Sequence, residues 1–384
     1  MSADLADATT AQDSASPPPL PSVPRPLTSY VSGRMIAVIA VIVAVLAVLT
    51  GTSGGKLLSA TNLGGALDAS SEVGFIAIGV TMLMIGGEFD LSVGQVFVVG
   101  GLAFAGLDKH IGFLPAIIVT LLLAGAIGLI NGIITVVFGI PSFITTLGTY
   151  YAIAGFILLI TGASPVSYLP PLPHVFSVFS AHVGGLGFRW EVVWWIGLAA
   201  LAAWILHRTS FGNHVFAAGG NPEAARGTGV RVGFTKIVLF VACSALSAFS
   251  GIVLFCHLGS MEVTAGSGLQ LQAIAAAVIG GTALFGGVGT IFGGVLGSFF
   301  LGVLTVGWCS RARRPSTTSS SWASSSSVRS SPRSRPSAPR GSSTRCSGGT
   351  RGGRHGIVRN PEDRRCPDGG GRPPAGQCAG GSPG

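Results

Sequence analysis

The sequence predicts an all-α fold: a polytopic bundle of membrane-spanning helices with disordered tails at both ends. Hydrophobic residues make up 48% of the 384-residue chain and charged residues only 10%, whereas a soluble domain carries about 25% charged residues. Apolar runs recur along the first three hundred residues, and a helix needs roughly 20 apolar residues to cross a bilayer. The low charge and the repeated apolar runs together indicate a membrane protein.

The net charge of +9 arises at one end of the chain. Residues 1–308 contain 9 Lys and Arg against 11 Asp and Glu, whereas residues 309–384 contain 14 Arg against 3 acids. A nucleic-acid partner therefore has no support in the first 308 residues. We divide the chain into a disordered cytoplasmic leader (1–34), a transmembrane domain (35–308) and a Ser/Arg/Pro/Gly-rich tail (309–384) that cannot bury a core.

Nine apolar runs are the candidates for membrane spans. The second and third are short and are separated by the polar stretch GGEFDLSVG, which is compatible with broken or re-entrant helices. Prolines between the fifth and sixth runs predict an irregular loop. The nine runs cover residues 34–52, 73–87, 91–107, 111–138, 143–161, 191–207, 237–258, 269–286 and 288–308.

Basic residues orient these spans, because Lys and Arg accumulate on the cytoplasmic side. Arg25 and Arg34 precede the first span and place the N-terminus in the cytoplasm. Six spans later, residues 207–236 carry four Lys and Arg against one acid, where the chain is expected to be inside again. The two signals agree and predict a multi-pass membrane protein, in contact with the lipid bilayer. After nine spans, however, the arginine-rich tail falls on the external side, which conflicts with the same rule.

Catalytic, cofactor and metal sites are not expected in this chain. Gly55 and Lys56 are followed by Leu57, so the phosphate-binding pattern GxxxxGK[ST] is missing, and HExxH does not occur. The seven histidines lack metal-ligand spacing, and no CxxC pair occurs. The chain is therefore predicted not to be an enzyme and to need no cofactor of its own.

The stretch GGNPEAARGTG at 219–229 predicts a helix of about two turns in a cytoplasmic loop. It offers an N-cap, a proline for the first helical position, an acid for the positive helix end and residues that favour helix. A helix this short is not stable alone, so it is either an ordinary capped surface turn or an element that docks onto a partner. Its candidate residues are Asn221, Pro222, Glu223, Ala224, Ala225, Arg226 and Gly229.

Polar residues in or beside the spans are candidates for a substrate path. A carboxylate at membrane depth costs several kcal/mol unless it is paired or hydrated, so those of GGEFDLSVG either line a hydrated path or, for Asp90, cap a helix start at the membrane surface with Ser92 nearby. The other polar groups either bind substrate or pair helices. The candidates are Glu88, Asp90, Ser92, Asn131, Thr145, Thr146, Gln270 and Gln272.

Glycines recur every four residues near the end of the apolar region, at Gly289, Gly293 and Gly297. This spacing lets two helix backbones approach closely in a membrane. Phosphate binding is disfavoured, because the glycines lack a strand–turn–helix context. We therefore predict that these three glycines serve helix packing.

Four stretches, taken together, resemble the permease subunits of sugar-type ABC importers, the ribose, xylose and galactose branch. They are GGEFDLSVG (86–94), GIPSFITTLGT (139–149), FGNHVFAAGGNPEAARGTGVRV (211–232) and AAAVIGGTALFGGVGTIFGGVLGSFFLGVL (275–304). The likeness runs from about residue 35 to 307. The order of the DLSVG and GGNPEAA motifs is fairly specific, and DLSVG distinguishes this branch from the related branched-chain amino-acid permeases.

This resemblance implies a permease, usually of ten spans, that pairs with a second permease subunit as a homo- or heterodimer. It implies partner ATPase subunits in the cytoplasm and an external substrate-binding protein that delivers a monosaccharide or related polyol. Residues 221–229 match the family's loop that receives the ATPase stroke, and ATP would drive alternating access. A different class remains open: a self-sufficient ion-coupled carrier with Glu88 and Asp90 as ion sites, for which we find no convincing inverted repeat.

The tail suggests that the reading frame slips near residues 305–308. Read two bases later, TC-type serine codons become Phe, Leu, Ile or Val, so SSSWASSSS (319–327) becomes an apolar run interrupted by one Gly. GWCS (307–310) likewise yields a forced Val-Leu, as at the entry to a tenth span. Any TC-type serine run would become apolar in that frame, so a genuine disordered basic tail, or a non-functional truncated permease, stays an alternative.

Overall fold

The computed structural model describes residues 27–53, 55–168, 173–184 and 187–312. The helices are α1 (Leu27–Ser53), α2 (Ala60–Ile85), α3 (Val93–Ile111), α4 (Phe113–Val137), α5 (Ser142–Thr161), α6 (Ser177–Ser180), α7 (Trp190–Arg208), α8 (Ser210–Gly220), α9 (Pro222–Gly227), α10 (Val232–Leu258), α11 (Leu269–Ile279) and α12 (Ile291–Ala312). Two short strands, β1 (Val166–Ser167) and β2 (Ser260–Met261), pair antiparallel. The all-α class predicted from the sequence is confirmed.

Six of the described helices are long and apolar enough to cross a membrane: α2, α4, α5, α7, α10 and the apolar part of α12. Their burial separates centre from rim: 89% of the apolar window of α2 is buried within the chain, against 11% for α5. The rim exposes large apolar side chains such as Leu122 and Leu159, which suits contact with lipid. The centre consists of α2, α3 and α10, packed through residues such as Phe75, Phe97 and Phe240.

The bundle has two ends, which we name after the short helices that lie there. The α9 end holds the finish of α2 and α4 and the starts of α5, α10 and α12. The α6 end holds the start of α2, the turn between α3 and α4, the start of α7 and the β1–β2 pair. At the α6 end Tyr168 donates to Asp108 at 2.6 Å, and burial, aided by that carboxylate, raises the pKa of Tyr168 well above its ordinary value.

The second predicted span is longer than its apolar run. It was expected at 73–87, but α2 begins at Ala60 and is not broken. Polar residues in its first half ended the apolar run, yet they are satisfied inside the bundle: Asp68 accepts from the guanidinium of Arg189 at 2.8 Å, and Ser71 donates to the carbonyl of Asp68. Hydropathy alone does not predict these tertiary partners.

The predicted span at 269–286 is wrong. The helix there, α11, has only 11 residues, about 16 Å at 1.5 Å per residue, which is too short to cross a bilayer. It ends at Gly280, and Gly281, Gly286 and Gly287 follow with positive φ, a conformation that glycine adopts at little cost. Apolar glycine-rich sequence was mistaken for helix.

Other boundaries differ by smaller amounts. The first helix begins at Leu27, so eight residues assigned to the leader belong to α1, and α12 runs to Ala312, four residues past the expected domain end. The loop after the sixth span contains α8 as well as the predicted short helix. The remaining leader (1–26) and the tail from 313 lie outside the described residues, so their predicted disorder and the frame hypothesis stay predictions.

The segment 86–92 is not helical and links α2 to α3. Near its start Glu88 pairs with Lys236, in the second turn of α10, and at its end the carbonyl of Val93 accepts from Ser247, in the middle of α10. The 11 residues between Lys236 and Ser247 rise about 16 Å. The chain therefore climbs from the α9 end to mid-bundle before α3 starts.

Candidate functional site

The short helix predicted at 221–229 is confirmed as α9. The side chain of Asn221 accepts from the backbone N–H groups of Glu223 and Ala224, at 3.1 and 3.0 Å, and Pro222 occupies the first turn. These are the cap and the proline that the sequence indicated. The helix ends at Gly227 with Thr228 as its C-cap, so Gly229 lies just beyond it with a φ of 87°.

One face of α9 is attached to the bundle and the other is free. Ala225 is buried and packs with Ala218 of α8 and Val232 of α10. Glu223, Ala224 and Arg226 are exposed, and neither charged side chain pairs with another described residue. A single alanine anchor beneath an exposed, charged face gives α9 a surface that another protein can grip.

Glu88 lies in an ion pair. Its carboxylate is 2.5 Å from the ammonium of Lys236, and the two side chains are 14% and 15% exposed. The pair joins the start of the 86–92 segment to α10, and its two residues are 148 positions apart in the sequence. Glu88 is therefore neutralised in this conformation, and its contact holds the α9 end of the segment.

Asp90 anchors a buried hydrogen-bond network. Its Oδ1 accepts from the Ser92 amide at 2.8 Å and from the Ser92 hydroxyl at 2.6 Å. Asn131 of α4 donates to the same hydroxyl at 3.0 Å and accepts from Thr149 of α5 at 2.6 Å. Asp90 thus holds the turn before α3, but it does not cap the helix as one interpretation expected: the N-cap is Ser92, which makes no side-chain cap hydrogen bond, and Asp90 is fully buried.

The start of α5 supports the backbone of the same segment. Ser142 accepts from the amide of Phe89 at 3.2 Å, and Thr146 accepts from the amide of Leu91 at 3.1 Å. Thr145 is buried, and its hydroxyl has no partner among the described residues. Five of the eight predicted path residues therefore meet at the 86–92 segment, namely Glu88, Asp90, Ser92, Asn131 and Thr146, and Thr145 lies beside Thr146 on α5.

The other two predicted residues lie on α11, away from this network. A side-chain oxygen of Gln270 lies against Gly94 in the first turn of α3, and that oxygen is buried without a partner in the described chain. Gln272 is exposed. The backbones of Gly94 and Gly266 touch as well, so α3 and α11 both begin near mid-bundle, close to one another.

Sequence reasoning missed several polar contributors. Ser142 and Thr149 stand inside the quoted motif GIPSFITTLGT, and Thr149 follows Thr145 by one helical turn, a spacing that could have placed both on one face. Gln95 is 3% exposed and its side-chain oxygen lacks a partner among the described residues. Lys236 could not be paired with Glu88 from sequence, because only the tertiary fold brings them together.

Two of the three predicted packing glycines, Gly293 and Gly297, lie where backbones meet, and the third, Gly289, lies against side chains. A Cβ on Gly293 would overlap the carbonyl oxygen of Gly280, and one on Gly297 would overlap that of Ala276. Both contacts join α12 to the half-helix α11 or its end. Gly289 precedes α12, and a Cβ there would lie 2.7 Å from Ile85 and 2.9 Å from Thr282.

Within the described part of the chain, no group of three His, Cys, Asp or Glu side chains could hold a metal ion. The interior polar groups are instead hydroxyls, amides and carboxylates set in an apolar bundle. Such groups exchange hydrogen bonds with an uncharged, hydroxyl-rich ligand or with one another.

Comparison with known proteins places the chain. Residues 62–319 match the family described as branched-chain amino acid transport system, permease component. The ribose import permease protein of Escherichia coli is 34% identical over 258 residues, 66% of this chain and 79% of that relative. The chain belongs to the permease family of ABC importers. The relatives place this permease on the sugar-type side of the family, as the sequence motifs predicted.

Further relatives of the permease agree. The autoinducer 2 import system permease protein of Photorhabdus luminescens is 37% identical over 232 residues, 59% of this chain and 67% of that relative. The corresponding protein of Salmonella paratyphi B is 33% identical over 252 residues, 64% and 70% of the two chains. No solved structure matches the permease. With its membrane-length helices, it is a multi-pass protein of the bacterial inner membrane.

Proposed function

We propose that this permease is the membrane-spanning subunit of an importer for a monosaccharide or related polyol. Separate ATPase subunits on the cytoplasmic side drive it, and an external binding protein delivers the substrate. Two of its relatives are named for ribose and for autoinducer 2 import. The uncharged hydrogen-bonding groups of the interior suit a hydroxyl-rich substrate, because each hydroxyl both donates and accepts.

The observation that carries the proposal is the exposed face of α9. Its anchor, Ala225, ties it to α8 and α10, while Glu223 and Arg226 point away from the bundle. The α9 end is the cytoplasmic end if Lys and Arg accumulate inside, and the N-terminus then lies in the cytoplasm too. An ATPase that grips α9 moves the permease between two states, and alternating access follows from that motion.

Charge reversal on α9 tests this coupling. Glu223→Lys and Arg226→Glu in the assembled complex are expected to reduce ATPase binding or substrate-stimulated ATP hydrolysis about tenfold or more, since like charges brought together at an interface cost several kcal/mol and about 1.4 kcal/mol already corresponds to tenfold. His214→Ala is the matched control, because His214 is equally exposed but lies on α8. Wild-type coupling in both α9 variants would remove the role given to this helix. Uptake driven by an ion gradient without any ATPase would favour an ion-coupled carrier instead.

A further inference from the structure

Three pairs of neighbouring glycines meet at the α9 end of the bundle, and we call this contact the glycine junction. Each pair ends or interrupts a different element. The first follows α2, the second ends α8 directly before the α9 cap, and the third lies in the loop between α11 and α12. The pairs are Gly86–Gly87, Gly219–Gly220 and Gly286–Gly287.

The junction is a contact of backbones rather than side chains. A Cβ on Gly286 would lie 2.7 Å from the carbonyl oxygen of Gly219 and 2.8 Å from the Cα of Gly87. A Cβ on Gly287 would lie 2.7 Å from the Cα of Gly220, and one on Gly219 would overlap the carbonyl oxygen of Ile85. Real Cβ atoms do not approach other atoms closer than 3.0 Å, so any larger residue at these positions must push the segments apart.

A hydrogen bond and the backbone geometry lock the same contact. The amide of Gly287 donates to the carbonyl of Ile85 at 2.8 Å. Gly87, Gly286 and Gly287 have φ values of 82°, 89° and 74°, which residues with a side chain rarely adopt. The three segments are therefore shaped to touch here, and they touch without any flexible side chain between them.

Each segment leads to a part that the importer must move. Gly220 is followed by Asn221, which caps α9. Gly87 is followed by Glu88 and the rest of the 86–92 segment, which contains the hydrogen bonds of Asp90. Gly287 leads through Gly289 to α12, whose Gly293 packs on the end of the half-helix α11. The 86–92 segment and the half-helix α11 are thus both attached to the base of α9.

We infer that the glycine junction is the device that transmits the movement of α9 to the 86–92 segment and to α11. Closely packed backbone has low compressibility and passes a displacement on, whereas long side chains would absorb it. Gly219, Gly286 and Gly287 are then positioning residues for transport, with no contact to substrate of their own. This inference rests on the proposed function, in which an ATPase grips α9.

Two pairs of glycines provide matched tests, each with one glycine of the junction and one control. Gly286 and Gly281 both have a φ of 89°, but a Cβ on Gly281 has no atom within 4 Å. Gly286→Ala and Gly281→Ala therefore carry the same backbone strain, and only the first disturbs the junction. Gly219 lies in helix α8, and its control is Gly155 in helix α5, where a Cβ would have no atom within 4 Å.

The experiment follows how ATP changes the exposure of α11 in the purified complex of permease and ATPase. Gln272→Cys, exposed on α11, is labelled by a fluorescent maleimide with and without ATP and vanadate. Cys243 and Cys256 are buried, and the cysteines from residue 309 onward are replaced by serine. Gly286→Ala and Gly219→Ala are expected to reduce the ATP-dependent change in labelling rate about fivefold or more, a typical coupling effect, while ATP hydrolysis continues.

The controls separate three outcomes. Gly281→Ala and Gly155→Ala are expected to keep the full ATP-dependent change, and equal behaviour of all four variants would overturn the inference. If Gly286→Ala does not assemble, Gly87→Ala replaces it, because a side chain strains the backbone at its φ of 82°, while its Cβ makes only an ordinary contact, 3.5 Å from Gly219. A response identical to wild type would again overturn the inference. A wild-type complex with no response to ATP would instead contradict the proposed function.

Discussion

Asn131 holds three segments of the permease together with one amide. Its backbone belongs to α4. Its side-chain nitrogen donates to Ser92 in the 86–92 segment, and its side-chain oxygen accepts from Thr149 of α5. Ser92 in turn donates to Asp90. All four side chains are buried or half-buried, so each lost hydrogen bond leaves a polar atom without water to replace it.

Replacing Asn131 by Leu is expected to destabilise the permease by about 1–2 kcal/mol, because two hydrogen bonds inside a membrane bundle are lost. Thermal unfolding in detergent measures the change. Asn213→Leu is the control: Asn213 is exposed on α8, and a surface change usually stays within about 0.5 kcal/mol. If both variants unfold at the wild-type temperature, the network does not support the segment.

Single residues were placed correctly where their contacts are local in sequence. Asn221 and Pro222 were placed correctly because a helix cap is a local pattern, complete within three residues. Glu88 and Asp90 stood out as costly at membrane depth, but the fold sets Lys236, which pairs with Glu88, and Asn131, which donates to Ser92, the partner of Asp90. The sequence therefore located the polar 86–92 segment, but it did not predict the hydrogen bonds and the ion pair that hold this segment.

At the scale of elements, hydropathy recognised the helices but not their lengths. α2 extends 13 residues beyond its predicted start, because Asp68 and its neighbours find partners inside the bundle. α11 stops after 11 residues, because glycines with positive φ follow it. Both errors have one cause: apolar composition reports the bilayer, whereas helix ends depend on caps, glycine geometry and tertiary bonds.

The contact between α11 and α12 predicts different effects for two glycine substitutions. Gly297→Ala forces a methyl group into the carbonyl of Ala276 and is expected to destabilise the permease by about 1–3 kcal/mol, as overpacking does. Gly148→Ala, on the exposed face of α5 with no atom within 4 Å, is expected to be neutral or slightly stabilising. Heating both variants in detergent and measuring the monodisperse fraction checks the order. The reverse order would exclude backbone packing at Gly297.

For the whole molecule, composition was sufficient to assign a polytopic bundle, and motif order was sufficient to assign the family. Neither showed which helix lies at the centre. α2 carries more polar residues than α4 and has a lower mean hydropathy, 1.4 against 2.6, yet it is the buried one. The most apolar of these spans, α4, is only 22% buried and faces outward, since lipid is the more apolar surrounding, whereas the polar residues of α2 need partners inside the protein.

The chain beyond the described residues carries the last prediction. We propose that the frame shifts near residues 305–308 and that the serine–arginine tail replaces a tenth span. α12 starts at the α9 end and runs towards the start of α2 at the opposite end, so a cytoplasmic α9 end would leave the 14 arginines from residue 309 onward on the external side. That is against the usual distribution of basic residues, whereas the proposed tenth span would return the chain to the cytoplasm. The coding DNA is expected to show TC-type codons for the serines at 319–327 and an open shifted frame. Restoring that frame is expected to increase the amount of permease that co-purifies with its ATPase. AG-type serine codons, or an early stop in the shifted frame, would show that the tail is genuine.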